Sequence, residues 1–119
     1  PVEDPDPIAS FWSAVTRTDS EGNPPGGWFP EHRMTRMEAL HHLIRLPAWA
    51  SFQEGRMGTL EKGKVADLVV LSGDPLTLPE SSLPSMKVEM TLFNGSLVHP
   101  AQGATSGSER PGIILADHD

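Results

Sequence analysis

Gly58-Thr59-Leu60-Glu61-Lys62-Gly63-Lys64-Val65-Ala66-Asp67-Leu68-Val69-Val70-Leu71 decides the fold, because it sets a tight reversal directly before a short apolar run. Gly63 is free to take the positive φ that a type II or type I′ turn over residues 61–64 demands. Residues 66–71 are rich in Val and Leu, too short for an ordinary helix, and closed by the turn chemistry of Ser72-Gly73-Asp74-Pro75. Such a run predicts a strand buried on both faces.

Downstream, residues 79–84 read as a turn or a single helical turn. Residues 87–93 then form the next strand, because Asn94-Gly95 between Leu92-Phe93 and Leu97-Val98 is a strong hairpin signal of type I′. Beyond Pro100 the Gly, Ser, Thr and Gln content predicts a flexible tail over 100–119, in which Ile113-Ile114-Leu115 is a candidate edge strand or exposed apolar patch.

Upstream, Asp6-Pro7 is a helix start: the carboxylate caps free backbone N–H groups, and proline at the first helical position loses no needed donor. Ile8, Phe11, Trp12 and Val15 follow at i, i+3, i+4 and i+7, which gives one wide apolar face through Arg17. Residues 18–33 hold Gly22, Pro24, Pro25, Gly26, Gly27 and Pro30, the makings of a loop, with Trp28 and Phe29 expected to pack back as anchors. Thr35-Arg36-Met37-Glu38 is a capping-box pattern, and Met37, Leu40, His41 and Ile44 continue it as an amphipathic helix. Pro47 is expected to kink or restart that helix, with residues 48–52 as the second piece.

Composition narrows the classes. A chain of 119 residues suffices for one domain or part of one, while 12 Pro and 11 Gly imply much irregular backbone. With 16 acidic against 9 basic residues and a formal charge of −7, nucleic acid and anionic membrane surfaces are not expected partners. The absence of cysteine excludes disulfide scaffolds, thiolate metal sites and cysteine nucleophiles. No apolar run approaches the length of a membrane span. The opening Pro-Val-Glu-Asp-Pro-Asp-Pro reads as an interior loop rather than a signal peptide, with a start left by removal of an initiator Met as the alternative. The compartment is left open, with the cytoplasm favoured.

The order of these features resembles the C-terminal end of the amidohydrolase superfamily, in particular the branch called amidohydrolase family 3. It runs from a capped helix ending Ala14-Val15-Thr16-Arg17 through the Pro/Gly loop and the helical region 35–52. Gly58…Gly63-Lys64-Val65-Ala66-Asp67 and then Asn94-Gly95 complete it, so that it covers residues 1–99. The resemblance implies an α+β fragment: the last helical region of a (β/α)8 metal-dependent hydrolase barrel, followed by the C-terminal strands of a small β-sandwich domain. Residues 1–57 would be the barrel's C-terminal helices and loop, residues 58–99 the C-terminal strands of the composite sandwich, and residues 100–119 the tail.

The resemblance also implies a divalent metal, zinc in first place, for the complete enzyme. There a metal-bound water attacks non-peptide carbon–nitrogen bonds of a small amide-like substrate. The family's ligand set cannot be placed on this chain: its last aspartate belongs to a Ser-Asp-x-Pro-Val pattern, of which Pro1-Val2 match only the end. No residue of the chain is therefore assigned a catalytic, cofactor-binding or metal role, and residues 2–7 are expected only to border the site. The implied partners are the N-terminal barrel portion of the same protein and, as a possible assembly, a homo-oligomer. Lys62 departs from the family's proline in the turn, and Leu46-Pro47 from its small residues.

Several residues invite a catalytic reading and are better explained by structure. His41 and His42 are neighbours on a helix, about 100° apart, and do not chelate one ion together. His32, His99 and His118 are isolated in sequence. Glu3, Asp4 and Asp6 form a carboxylate cluster that reads first as a capped helix start. Arg17 suits the negative end of its helix, and Asp67 is expected to hydrogen-bond locally. Neither a Gly-x-Ser-x-Gly elbow nor a phosphate loop occurs, since Val65 stands where the latter needs Ser or Thr. The chain alone is expected to be inactive. The alternative is an independent binding or structural module with Trp12, Trp28, Phe29 and Trp49 in its own core.

Overall fold

A computed structural model describes residues 5–100. Expectations for Glu3, Asp4, the tail, Ile113-Ile114-Leu115 and His118 lie outside the described residues. The chain is a small α+β unit: helix α1 (Pro7–Thr16), helix α2 (Arg36–Ala50), and strands β1 (Leu68–Leu71), β2 (Val88–Phe93) and β3 (Ser96–His99). Short 3-10 turns at Pro30–His32 and Glu80–Ser85 punctuate the connections.

Local signals account for where the helices start. The Asp6 carboxylate accepts the Ile8 N–H at 2.8 Å with Pro7 in the first turn. At α2 the Thr35 hydroxyl accepts the Glu38 N–H while Glu38 Oε2 accepts the Thr35 N–H at 2.8 Å, a complete capping box. The bond from the Thr35 backbone N–H, ahead of that from its hydroxyl, holds the Glu38 carboxyl below its ordinary pKa. Arg17 ends α1 in a left-handed conformation (φ 60°), its N–H bonded to Ser13 O. At Pro47 the expected restart of the helix does not occur. The helix continues to Ala50, with Ala48 buried one residue past the proline.

The core lies between the two helices and the Glu80–Ser85 turn. Phe11, Val15, Ala39 and Leu83 are its buried members, with Trp12, Met34, Leu40 and Leu78 packed around them. The α1 face read from the sequence is thus the face used. Phe11 is 3% exposed and Leu83 fully buried, each side chain stabilising the fold by about 1.5–3 kcal/mol. On α2 the buried side is displaced from the expected one. Ala39 and Ala48 are buried while Met37 is exposed, because the stripe in use runs through 39, 40, 43, 44, 47 and 48.

Arginine side chains stitch the loops to the helices. Arg33 donates through Nε to Thr16 O at 3.1 Å and through Nη2 to Gly26 O at 2.8 Å, while Arg36 Nη1 reaches Pro75 O and Leu78 O. Trp28 and Phe29 are not anchors. They are 62% and 50% exposed and pack on each other edge to face at 4.9 Å, with the Arg17 guanidinium 5.6 Å from the Trp28 ring centre.

The sheet is antiparallel in the order β1-β2-β3. β1 is shorter than expected and is not buried on both faces: Val70 is buried but Val69 is 43% exposed. Among the described residues β1 pairs with β2 alone, and Val69 is exposed because it lines the open groove. The hairpin forms as expected, with Asn94 at φ 50° and Gly95 at φ 77°, the type I′ signature.

Gly58 and Gly63 have different reasons for being glycine. Both take positive φ, but a Cβ on Gly58 would stand 2.8 Å from the Ala48 Cβ of α2, whereas one on Gly63 meets nothing. Gly58→Ala therefore adds a steric clash to backbone strain and should destabilise by about 3 kcal/mol, against about 1 kcal/mol for Gly63→Ala. Urea melts of the two variants check the order; equal losses would contradict it.

Candidate functional site

An apolar groove of about 630 Å³ runs between the helices and the sheet. α1 contributes Ile8 and Phe11, α2 contributes Leu40, Leu43 and Ile44, and the sheet side contributes Leu68, Val69 and Val88. The signature turn stands at its rim through Gly58, Thr59, Leu60 and Val65. Asp67, Thr59, Ser51 and Thr91 are its few polar side chains, too sparse to make a charged reaction centre. A groove of this composition is suited to burial against another apolar surface.

The signature itself is a structural clasp. Lys64 is partly buried, and its Nζ lies 2.6 Å from both Glu61 Oε2 and Thr59 Oγ1, while the Thr59 hydroxyl donates to Glu61 at 2.8 Å. The Lys64 bond, ahead of the Thr59 bond, draws the Glu61 carboxyl below its ordinary pKa. Lys64 N–H also closes the turn onto Glu61 O at 3.1 Å, with Gly63 at φ 96° and Lys62 not left-handed, which selects the type II form.

The backbone N–H of Asp67 bonds locally to Val65 O at 2.9 Å, as expected, but its side chain reaches far along the chain. Its Oδ1 accepts the backbone N–H of Asn94 at 2.7 Å, and Ala66 O accepts the N–H of Gly95 at 2.9 Å. The two signals that stand apart in sequence, Ala66-Asp67 and Asn94-Gly95, are bound to each other. The Asp67 carboxylate thereby holds the β2–β3 turn.

The histidines do not assemble. His41 is partly buried and His42 exposed, their rings 6.5 Å apart, and His42 Nδ1 contacts Met34 Sδ at 3.1 Å. His32 lies tilted beside Phe29 with ring centres 6.2 Å apart, and His99 ends β3. Among the described residues no group of three or more His, Asp or Glu side chains is placed to hold a metal ion, and no helix is long and apolar enough to cross a membrane. Asp6 serves its helix. Leu43 and Arg33 were not singled out by sequence, nor were the groove position of Pro47 and the long reach of Arg36; a helical wheel centred on Leu43 and Pro47 carries the signal for the groove wall.

A small α+β unit with an open apolar groove and a clasped turn is the class these observations define. The chain belongs to the amidohydrolase family, whose family model matches residues 1–99. It is 33% identical over 98 residues to the N-substituted formamide deformylase of Arthrobacter pascens, covering 82% of this chain and 18% of that protein. It is 28% identical over 99 residues to the protein named amidohydrolase YtcJ in Bacillus subtilis (strain 168), covering 83% of this chain and 19% of that one. It is also 35% identical over 72 residues to Protein LONG AFTER FAR-RED 3 of Arabidopsis thaliana, covering 60% and 12%. The chain thus spans less than a fifth of the length of the curated relatives it matches. No solved structure matches it significantly.

The groove makes a direct prediction. A fluorescent dye that brightens in apolar surroundings should bind the isolated chain, and Leu43→Glu, which places a charge in the groove wall, should reduce that signal severalfold without loss of helical circular dichroism. Unchanged fluorescence in the variant would show that the dye reads another surface.

Proposed function

We propose that this chain is the C-terminal part of a metal-dependent amidohydrolase that hydrolyses non-peptide carbon–nitrogen bonds, and that the chain alone is inactive. In this reading residues 1–57 close the enzyme's (β/α)8 barrel and residues 58–99 complete a small composite β-sandwich, with the groove covered by the rest of the protein. The observation that carries it is the match of residues 1–99 to the family in a chain that spans less than a fifth of its relatives, together with a groove wall that is apolar.

The metal the family implies does not fit the described residues, which offer no cluster of ligands, so the ligands are assigned to the larger remainder of the protein. What this chain contributes is shape and support. α1 and α2 present the apolar wall, and the Asp67–Asn94 bond fixes the sheet against the signature turn. The formamide deformylase among the relatives points to a small formamide or amide as the substrate class. A homo-oligomer remains part of the proposal, with no surface assigned to it.

Activity separates this reading from an independent catalyst. Purified chain supplied with zinc should leave N-substituted formamides intact, and joining it in one polypeptide to the N-terminal portion of its own protein should give zinc-dependent formate release. Turnover by the chain alone would overturn the proposal, as would full activity of the N-terminal portion without residues 1–99.

A further inference from the structure

The clasp between Asp67 and the β2–β3 turn encloses a bond with chemistry of its own. In Asn94-Gly95 the backbone nitrogen that follows the asparagine carries no side chain to shield it, and the turn is exposed. When the backbone is free, Gly95 N attacks Asn94 Cγ, a carbon–nitrogen bond forms, and the side-chain amide leaves as ammonia with the Gly95 proton. Water then opens the resulting cyclic imide at either carbonyl, which yields aspartate or isoaspartate at position 94. No reagent other than water is consumed.

The fold holds this nitrogen away from that reaction. Gly95 N–H is donated to Ala66 O at 2.9 Å, Asn94 N–H to Asp67 Oδ1 at 2.7 Å, and both residues are locked in left-handed backbone at φ 77° and φ 50°. We infer that Asn94 is a deamidation site gated by the Asp67 clasp: the side chain is converted only when the turn lifts off Ala66 and Asp67. The conversion is self-sealing. Aspartate adds a negative charge to the residue whose backbone N–H the Asp67 carboxylate must hold, and isoaspartate lengthens the main chain by a methylene, so the type I′ turn and its clasp no longer re-form as before. This inference does not rest on the proposed activity.

The chain is well suited to the test, since its other asparagine, Asn23, precedes Pro24, whose nitrogen has no hydrogen to lose. The full chain is incubated at mildly alkaline pH in buffer and in urea, and conversion at Asn94 is followed by peptide mass spectrometry. Because the reaction needs the locally opened turn, conversion in buffer should be about tenfold or more slower than in urea. Asp67→Ala should move the buffer rate toward the urea rate, and Asp67→Asn, which keeps an acceptor oxygen, should leave it slow; circular dichroism of each variant separates loss of the clasp from global unfolding. Equal rates in buffer and urea, no conversion in urea, or an Asp67→Ala variant that stays folded and converts no faster would each overturn the inference.

Discussion

An apolar groove that two helices and a three-stranded sheet leave open is the constraint to which the other features answer. Burial of nonpolar surface is the main favourable term in folding, and side chains such as Leu43, Val69 and Leu60 forgo part of it in this chain. The hydrogen-bonded features around the groove fix its walls. The capping box sets the start of α2, Arg36 ties that start to the loop after β1, and Asp67 ties the signature turn to the hairpin. Each is a polar device that holds an apolar surface in place.

The signature that decides the fold therefore works through geometry. Gly58 lets the backbone pass close over Ala48, Gly63 lets it reverse, Lys64 gathers Glu61 and Thr59, and Asp67 reaches across to Asn94. Each of these is a packing, turn or hydrogen-bonding role. They make the strand region a rigid plate beside the helices, the kind of support a reaction centre elsewhere in a protein requires.

Much of this was legible because the signals are local. Asp6-Pro7, Thr35 to Glu38 and Asn94-Gly95 each contain both partners of their own bond or turn, so caps and hairpin followed from adjacent residues. What was not legible depends on partners far along the chain. The Asp67–Asn94 and Arg36–Leu78 bonds join residues whose proximity no spacing announces. The apolar content of β1 suggested burial on both faces, yet Val69 lines a groove that the described residues leave open. Trp28, Phe29 and Trp49 show that a large aromatic side chain does not dictate its own burial; of the four suggested as core of an independent module, Trp12 packs against the core and these three are mostly exposed. For the site, the identity of the groove walls awaited the register of α2.

The central claim is that these elements are shaped to be covered by a larger body. Hydrogen exchange compared between the isolated chain and the same residues within the longer protein tests it most directly. The account predicts that the amides of Leu68–Leu71 and of the groove side of α2 exchange much more slowly in the longer protein, while the amide of Asn94, already bound to Asp67, changes little. Equal protection of Leu68–Leu71 in both settings would contradict it.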